Sequence, residues 1–186
     1  ERHLAKLARP DGLWERAWLH SEKRVQPTNR LTRGQAWAME GLLAGWELTG
    51  HLEYLGRARR MAAILMEHQR SDGAWTTFFD RPESEVGIDE KGTAIWSLWF
   101  LRLHQTTREP VHRQTAGRAL GWCLRHQDFD PDEPEARGGL PGVQQRSGVI
   151  YRDWFKLSCT YASGFLGLAA QAWLDYDRIP PTRYIS

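Results

Sequence analysis

Three stretches of the chain are apolar on every side when they are drawn as helices of 3.6 residues per turn. The first covers residues 32–46 and, past its first turn, carries only one charged residue, Glu40. The other two cover residues 92–101 and about 157–173 and carry no charge. A helix that is apolar all round is typical of a position enclosed by other helices. The pattern therefore predicts three inner helices, the first of which ends near residues 49–50.

Two segments between these stretches are apolar on one side only. In residues 52–69, apolar side chains recur every three or four positions and arginines occupy the opposite side. The second segment opens with Pro110, which suits the first turn of a helix, and continues through Cys123. Such one-sided patterns predict outer helices that keep one face in solvent.

The order of these elements repeats along the chain. An Asp-Gly turn followed by tryptophan occurs at residues 11–14 and again, 61 positions later, at residues 72–75. The three inner helices align on Ala36, Ala94 and Ala162. Repeated helical hairpins stack because no single hairpin can bury its own apolar faces. We therefore predict an all-α fold, an α/α toroid of about three helical hairpins, which is half of a six-hairpin ring.

We expect the chain to start inside this architecture, because residues 1–8 have the pattern of a helix end. We expect residues 1–186 to form a single α/α-toroid domain and to be the C-terminal part of a larger catalytic domain. The remaining half of the toroid, or a homodimer, would then complete the ring. A long loop precedes each inner helix, so the loops should gather over the inner-helix N-termini, where we expect the functional pocket.

Composition narrows the range of partners. The chain has 25 Lys and Arg against 23 Asp and Glu, a net charge of +2, which argues against a nucleic-acid or membrane partner. It has no apolar run of bilayer length and no charged-then-apolar leader, so we expect a cytoplasmic protein. Cys123 and Cys159 lack metal-binding spacing, and the acidic segment 128–133 lacks the pattern of a calcium loop. We expect neither metal nor cofactor.

The first turn of the first inner helix contains the best candidate chemistry. Arg33, Gln35 and Trp37 lie there, beside free backbone N–H groups and the positive end of the helix dipole. A guanidinium fork, an amide and a flat aromatic ring together suit a sugar acid. The alternative is that Arg33 is solvated or structural and that Trp37 belongs to the core.

Other candidates lie in the loops. Four of the ten tryptophans fall in predicted loops, where rings often serve as stacking surfaces. They are Trp14, Trp18, Trp75 and Trp154. Asp89 directly precedes the second inner helix, where it could bind sugar hydroxyls or cap the helix. Asp153 and Trp154 occupy the equivalent loop of the third repeat, and His20 is more readily explained as a surface residue than as a catalytic base.

These motifs resemble the six-hairpin glycosidases, in particular the unsaturated glucuronyl and rhamnogalacturonyl hydrolases. The Arg-Gly-Gln-Ala-Trp run at residues 33–37 resembles the motif whose Arg and Trp line the sugar-acid pocket in the glucuronyl hydrolases. Residues 11–18 are similar to a Gly-Leu-aromatic-x-His-x-Trp stretch of the related family, with Trp18 at the last position and Arg16 in place of the His. Residues 89–94 resemble the acidic-x-Ser-Gly-Thr/Ser-Ala start of a later inner helix, and residues 161–169 resemble the Gly-rich closing helix.

The resemblance implies a hydrolase that removes a 4,5-unsaturated uronic acid from an acidic oligosaccharide. Protonation and hydration of the enol-ether double bond would replace direct displacement at the anomeric carbon. In the family, the aspartate that acts as general acid and base lies in the half-ring that would precede residue 1, so no catalytic residue is assigned in this chain. The implied substrate-binding residues are Arg33, Trp37, Trp18, Gln35, Arg16, Trp14 and Asp89.

Two alternatives stay open. Residues 69–75 resemble the Gln-x-x-Asp-Gly-x-Trp turn of triterpene cyclases, which are also α/α toroids, although Arg33 at the mouth of an inner helix disfavours a cavity built for carbocations. The chain could also be a non-catalytic helical arc that binds a carbohydrate or a protein through its tryptophan-rich side.

Overall fold

The structure is a computed structural model that describes residues 6–15, 17–25, 31–78, 81, 86–130, 132, 134–141 and 159–176. Five long helices and a two-stranded antiparallel hairpin account for most of these residues. The hairpin pairs β1 (Trp18–Leu19) with β2 (Arg24–Val25), and the helices are α1 (Thr32–Thr49), α2 (Leu52–Glu67), α3 (Glu90–Thr107), α4 (Pro110–Arg125) and α5 (Thr160–Leu174).

The helix ends follow from local chemistry. Helix α1 ends at Gly50, which takes the left-handed conformation (φ 67°) and donates its N–H to the Trp46 carbonyl at 2.7 Å. Helix α4 begins at Pro110, whose missing N–H costs nothing in a first turn. Helix α3 begins after Asp89 and runs to Thr107, six residues beyond the predicted end of the apolar stretch.

The helices form two layers. Helix α3 contacts both α1 and α5, while α2 packs on α1 and α4 packs on α3. Ala36, Ala94 and Ala162 all have no exposed surface, so the predicted alignment of the three inner helices is confirmed. The loop before α3 also reaches the start of α1, where Thr32 donates its N–H to the Thr77 carbonyl at 3.0 Å. The loops therefore meet at the N-terminal ends of α1 and α3, as predicted.

The prediction that all three inner helices are buried on every side is wrong for two of them. Helix α3 is enclosed, because other helices cover it on most sides. Helices α1 and α5 each expose one face, and no described element covers it. The exposed residues of these faces include Trp37, Gly41 and Leu48 on α1 and Tyr161, Leu168 and Leu174 on α5. An apolar composition predicts that a helix will be covered, but it does not say by what.

Three aromatic rings form the centre of the core between α1, α2 and α3. Trp75 and Phe100 stack with ring centroids 5.8 Å apart, and Trp96 is tilted against both. Trp75 was expected to be a loop ring open to ligands, but it has no exposed surface and donates its indole N–H to the Leu65 carbonyl at 2.7 Å. It anchors the Asp-Gly turn to the core instead.

The two Asp-Gly turns have the same hydrogen bonds. In each, the aspartate carboxylate accepts the N–H of the residue two positions on, at 3.1 Å from Asp11 and 3.1 Å from Asp72. In each, the glycine has a positive φ, 89° at Gly12 and 104° at Gly73. The 61-residue repeat in the sequence is therefore a repeat in the structure.

Replacing Gly73 with alanine should be strongly destabilising. The new Cβ would lie 2.3 Å from the Arg118 carbonyl oxygen, in a backbone conformation that L residues avoid. We expect the free energy of unfolding to fall by about 3 kcal/mol or more, as strain and overpacking add. Gly50→Ala is the matched control, since Gly50 has a positive φ but no atom lies within 4 Å of the position of a new Cβ. This substitution should lower the free energy of unfolding by about 1–2 kcal/mol. If urea denaturation showed the same loss of unfolding free energy in both variants, this packing of the Gly73 turn would be contradicted.

Candidate functional site

An ion pair joins the first turn of α1, called here the mouth of α1, to the N-cap residue of α3. Arg33, in the first turn of α1, places Nη1 3.2 Å from Asp89 Oδ1. The Asp89 side chain is 1% exposed and the Arg33 side chain 39% exposed, so the aspartate is buried beneath an arginine that reaches solvent. Asp89 therefore fixes the position of a cation at the end of the fold where the loops meet.

Asp89 also caps α3. Its Oδ1 accepts the Gly92 N–H at 2.9 Å, which is the capping role that the sequence offered as an alternative. Its Oδ2 is buried and has no hydrogen-bond partner among the described residues. A Cβ at position 92 would lie 2.5 Å from Oδ2, so any larger residue there would displace the Asp89 carboxylate. Burial raises the pKa of Asp89, and the nearby Arg33 charge and the Gly92 N–H offset this only in part.

The raised pKa of Asp89 should make part of the stability depend on pH. Between the ordinary aspartate pKa and the raised one, the folded state binds more protons than the unfolded chain, so stability falls as the pH rises through that window. Asp89→Asn keeps a capping acceptor but cannot titrate, so this part of the decrease should disappear. Urea denaturation of both proteins from about pH 4 upward measures it. If the unfolding free energies of the two proteins changed with pH in parallel, the raised pKa would not belong to Asp89.

Trp37 lies one turn after Arg33 on the same face of α1, as the i, i+4 spacing requires. It is 49% exposed, and its ring contacts Phe165 of α5 with centroids 5.9 Å apart. The expectation that Trp37 could be a core residue therefore fails on exposure. Phe165 could not have been singled out from the sequence, because nothing in the uncharged 160–174 run marks the side that faces α1.

Gln35 is buried, whereas Arg33 and Trp37 both reach solvent. Its amide accepts the Trp14 N–H at 2.9 Å and donates to the Trp14 carbonyl at 2.8 Å. The side chain is buried, and both ends of the amide are occupied by backbone. Gln35 thus fastens the first Asp-Gly turn to α1. The ring of Trp14 in turn has the Arg57 guanidinium 5.9 Å from its centroid.

The remaining candidates lie in the β1–β2 hairpin or outside the described residues. Trp18 is in strand β1, and the ammonium group of Lys6 lies 4.6 Å from its ring centroid. His20 is exposed in the turn between the strands. Arg16, Asp153 and Trp154 lie outside the described residues. Within the described part of the chain, the structure thus brings together Arg33, Asp89 and Trp37.

Metal and thiol chemistry find no support in the described residues. They contain no group of three or more His, Cys, Asp or Glu side chains able to hold a metal ion. Asp128 and Asp130 instead accept backbone N–H groups two residues further on, which stabilises their own turn. Cys123 is buried, and burial raises its pKa to about 12. None of the described helices is long and apolar enough to cross a membrane.

Neither protein-family models nor curated proteins match this chain. Solved structures do. A possible member of the GH105 family from Salmonella enterica serovar Paratyphi A matches 95% of this chain with 48% of its own, at 21% identity and a TM-score of 0.72. The unsaturated glucuronyl hydrolase of Bacillus sp. GL1, responsible for the degradation of glycosaminoglycan, matches 98% of this chain with 51% of its own, at 18% identity and a TM-score of 0.71.

The chain has the fold of one half of an unsaturated glucuronyl hydrolase. A third structure, an unsaturated glucuronyl hydrolase specific for heparin, agrees, with 17% identity, a TM-score of 0.72 and 95% of this chain matched to 51% of its own. The chain thus spans about half the length of the structures it matches. The predicted α/α half-toroid and its resemblance to the six-hairpin glycosidases are confirmed at the level of the fold.

Proposed function

We propose that this chain is the sugar-acid-binding half of an α/α-toroid glycoside hydrolase that acts on acidic oligosaccharides. The observation that supports it most is the Arg33–Asp89 pair at the mouth of α1, one turn from the exposed ring of Trp37. A cation held beside a flat aromatic surface provides what a carboxylated sugar ring needs.

Arg33 retains donors for a ligand. Its hydrogen bond to Asp89 comes from Nη1, and a guanidinium has five N–H groups, so a fork remains for a second carboxylate. Trp37 would then support the apolar C–H face of the sugar. Gln35 and Trp14 would act indirectly, by holding the neighbouring turn in place.

The reaction we propose is removal of a 4,5-unsaturated uronic acid by protonation and hydration of its enol-ether double bond. Arg33 would hold the substrate carboxylate, and Trp18 and Arg16 would extend the binding surface along the first loop. The proton would come from an acid in the other half of the ring. Exposed apolar residues further along the two helices, such as Leu48 on α1 and Leu168 on α5, suit this arrangement, since another half-toroid or a second copy of the chain would cover them.

Binding of two disaccharides tests the proposal. The probes are a disaccharide ending in a 4,5-unsaturated uronic acid and a neutral disaccharide of the same linkage, each titrated into the full chain by calorimetry. We expect saturable binding of the acidic probe alone. Equal binding of both, or of neither, would contradict a sugar-acid site.

Turnover separates the enzyme from the second candidate, a non-catalytic binding arc. In that alternative, the Arg33–Asp89 pair and the Trp37 ring bind the acidic sugar without turnover. Loss of the ultraviolet absorbance of the unsaturated sugar would indicate hydration. Binding with constant absorbance would assign the isolated chain to recognition only. The cytoplasmic location expected from the sequence stays a prediction.

A further inference from the structure

A cavity lies at the opposite end of α3 from Asp89. It is an open cleft with a volume of about 480 Å³. Its position on α3 is some fifteen residues from Asp89, or about 22 Å along the helix axis. The residues that line it are His104, Pro110, Arg113, Gln114, Gly117 and Trp173.

The cation of this cavity is held in place by aromatic rings. The Arg113 guanidinium carbon lies 5.2 Å from the Trp173 ring centroid and 4.7 Å from that of Tyr176. A guanidinium that lies against rings keeps its in-plane N–H groups for a carboxylate. None of the ion pairs between described residues includes Arg113. Arg113 is thus preorganised, and its charge is not matched by a described carboxylate.

The surroundings of Arg113 favour an anion. Glu109, the nearest acid in sequence, is already paired with Arg59 at 2.8 Å. Arg108 adds another positive charge between α3 and α4. Glu109 is also the N-cap residue of α4, so the helix dipole adds no separate preference for an anion. A ligand with a negative charge would be favoured by the charges of Arg108 and Arg113.

The other walls of the cavity are rigid. His104 Nδ1 lies 2.8 Å from the Glu109 carbonyl oxygen, which can only accept a hydrogen bond, so Nδ1 carries the hydrogen. The other ring nitrogen, Nε2, takes no part in this bond. Its ring stacks on Tyr176 at 5.3 Å. Trp173 approaches α4 at Gly117, where a Cβ would lie 3.0 Å from the ring edge, so glycine admits the ring. The result is a flat indole wall beside a fixed cation.

We propose that this cavity binds a carboxylate carried on a six-membered ring. Arg113 binds the carboxylate, Trp173 and Pro110 pack against the ring, and the Gln114 amide donates to or accepts from its substituents. Both a sugar acid and an aromatic acid have this chemistry. The site uses no residue of the Arg33–Asp89 centre, so it stands or falls separately from the proposed function.

The test is a titration of the full ¹⁵N-labelled chain with three probes: glucuronate, benzoate and neutral glucose. Glucuronate is saturated and cannot undergo enol-ether hydration, so turnover does not interfere. We expect saturable shifts of the Trp173 indole N–H with glucuronate, with benzoate or with both, and none with glucose. Which acid binds tells whether the ring is a sugar or an arene. No saturable shift with either acid, or an equal shift with glucose, overturns the proposal.

Three variants test whether the shift of the Trp173 indole N–H depends on Arg113. Arg113→Gln should weaken the acid response at Trp173 about tenfold or more, the loss expected for a hydrogen bond between charged groups. Arg118→Gln is the matched control, since Arg118 is exposed on the same helix and bonds to Gln69 outside the cavity, and its response should equal the wild type. Arg33→Gln should also leave Trp173 unchanged. An undiminished response in a folded Arg113→Gln chain overturns the assignment.

Discussion

Trp96→Ala is expected to lower the free energy of unfolding by about 3–5 kcal/mol, the range for truncating a large buried aromatic side chain. Trp96 has no exposed surface and packs against Trp75 and Phe100, with ring centroids 6.4 Å and 5.4 Å away. Its indole N–H also donates to the Thr32 carbonyl at 3.1 Å, in the first turn of α1. The substitution would leave a cavity between two inner helices. Chemical denaturation followed by circular dichroism measures the loss.

Two further variants separate packing from hydrogen bonding at this position. Trp96→Phe keeps most of the ring contacts but removes the bond to Thr32, and should cost about 1–2 kcal/mol. Trp37→Ala, at an exposed tryptophan, should change stability by less than about 1 kcal/mol. If the alanine variants at positions 96 and 37 lost equal stability, Trp96 would not lie at the centre of the core.

Trp96 also connects the core to the candidate site. The Thr32 carbonyl that it binds belongs to the residue next to Arg33, and the Asp89 cap lies at the start of the same helix as Trp96. The position of the guanidinium therefore depends on the packing of α1 against α3. Trp96 holds the first turn of α1, and that turn holds Arg33. The packing of α1 against α3 therefore contributes both to stability and to the proposed binding.

The layers of the fold could be predicted because each depends on local pattern. Charge on one side of 52–69 indicated an outer helix, and the alignment of Ala36, Ala94 and Ala162 fixed the faces that three helices bury. The Asp-Gly turns were predicted for a similar reason, since a short side chain and a glycine determine their own backbone. Such features need no knowledge of distant neighbours.

Features that depend on distant neighbours were not predicted correctly. The sequence could not show that Trp75 is enclosed while Trp37 is exposed, because the burial of each ring is decided by elements distant in sequence. Gln35 was selected for its amide, but the atoms that occupy it belong to a loop 21 residues earlier. The hairpin β1–β2 was missed because strands of two residues have no periodicity to detect.

Arg33→Ala is expected to weaken binding of an acidic unsaturated disaccharide by about 1.5–3 kcal/mol, the range for a hydrogen bond to a charged group. The substrate carboxylate would have to give up water without the guanidinium fork that replaces it, and the buried Asp89 would lose its ion-pair partner. The shift of the Trp37 indole N–H during titration reports this site alone. Arg33→Lys keeps the charge without the fork, so its loss should fall between wild type and alanine.

Arg118→Ala provides the comparison for Arg33→Ala. It removes an arginine of the same net charge from the outer surface of α4, where the partner is the neutral Gln69 side chain. Affinity at Trp37 should then stay within about twofold of the wild type, because exposed charges far from a ligand are screened by salt. Equal losses in the two variants would mean that net charge, and not the fork at the mouth of α1, attracts the sugar. Unchanged affinity in Arg33→Ala would refute the assignment of Arg33.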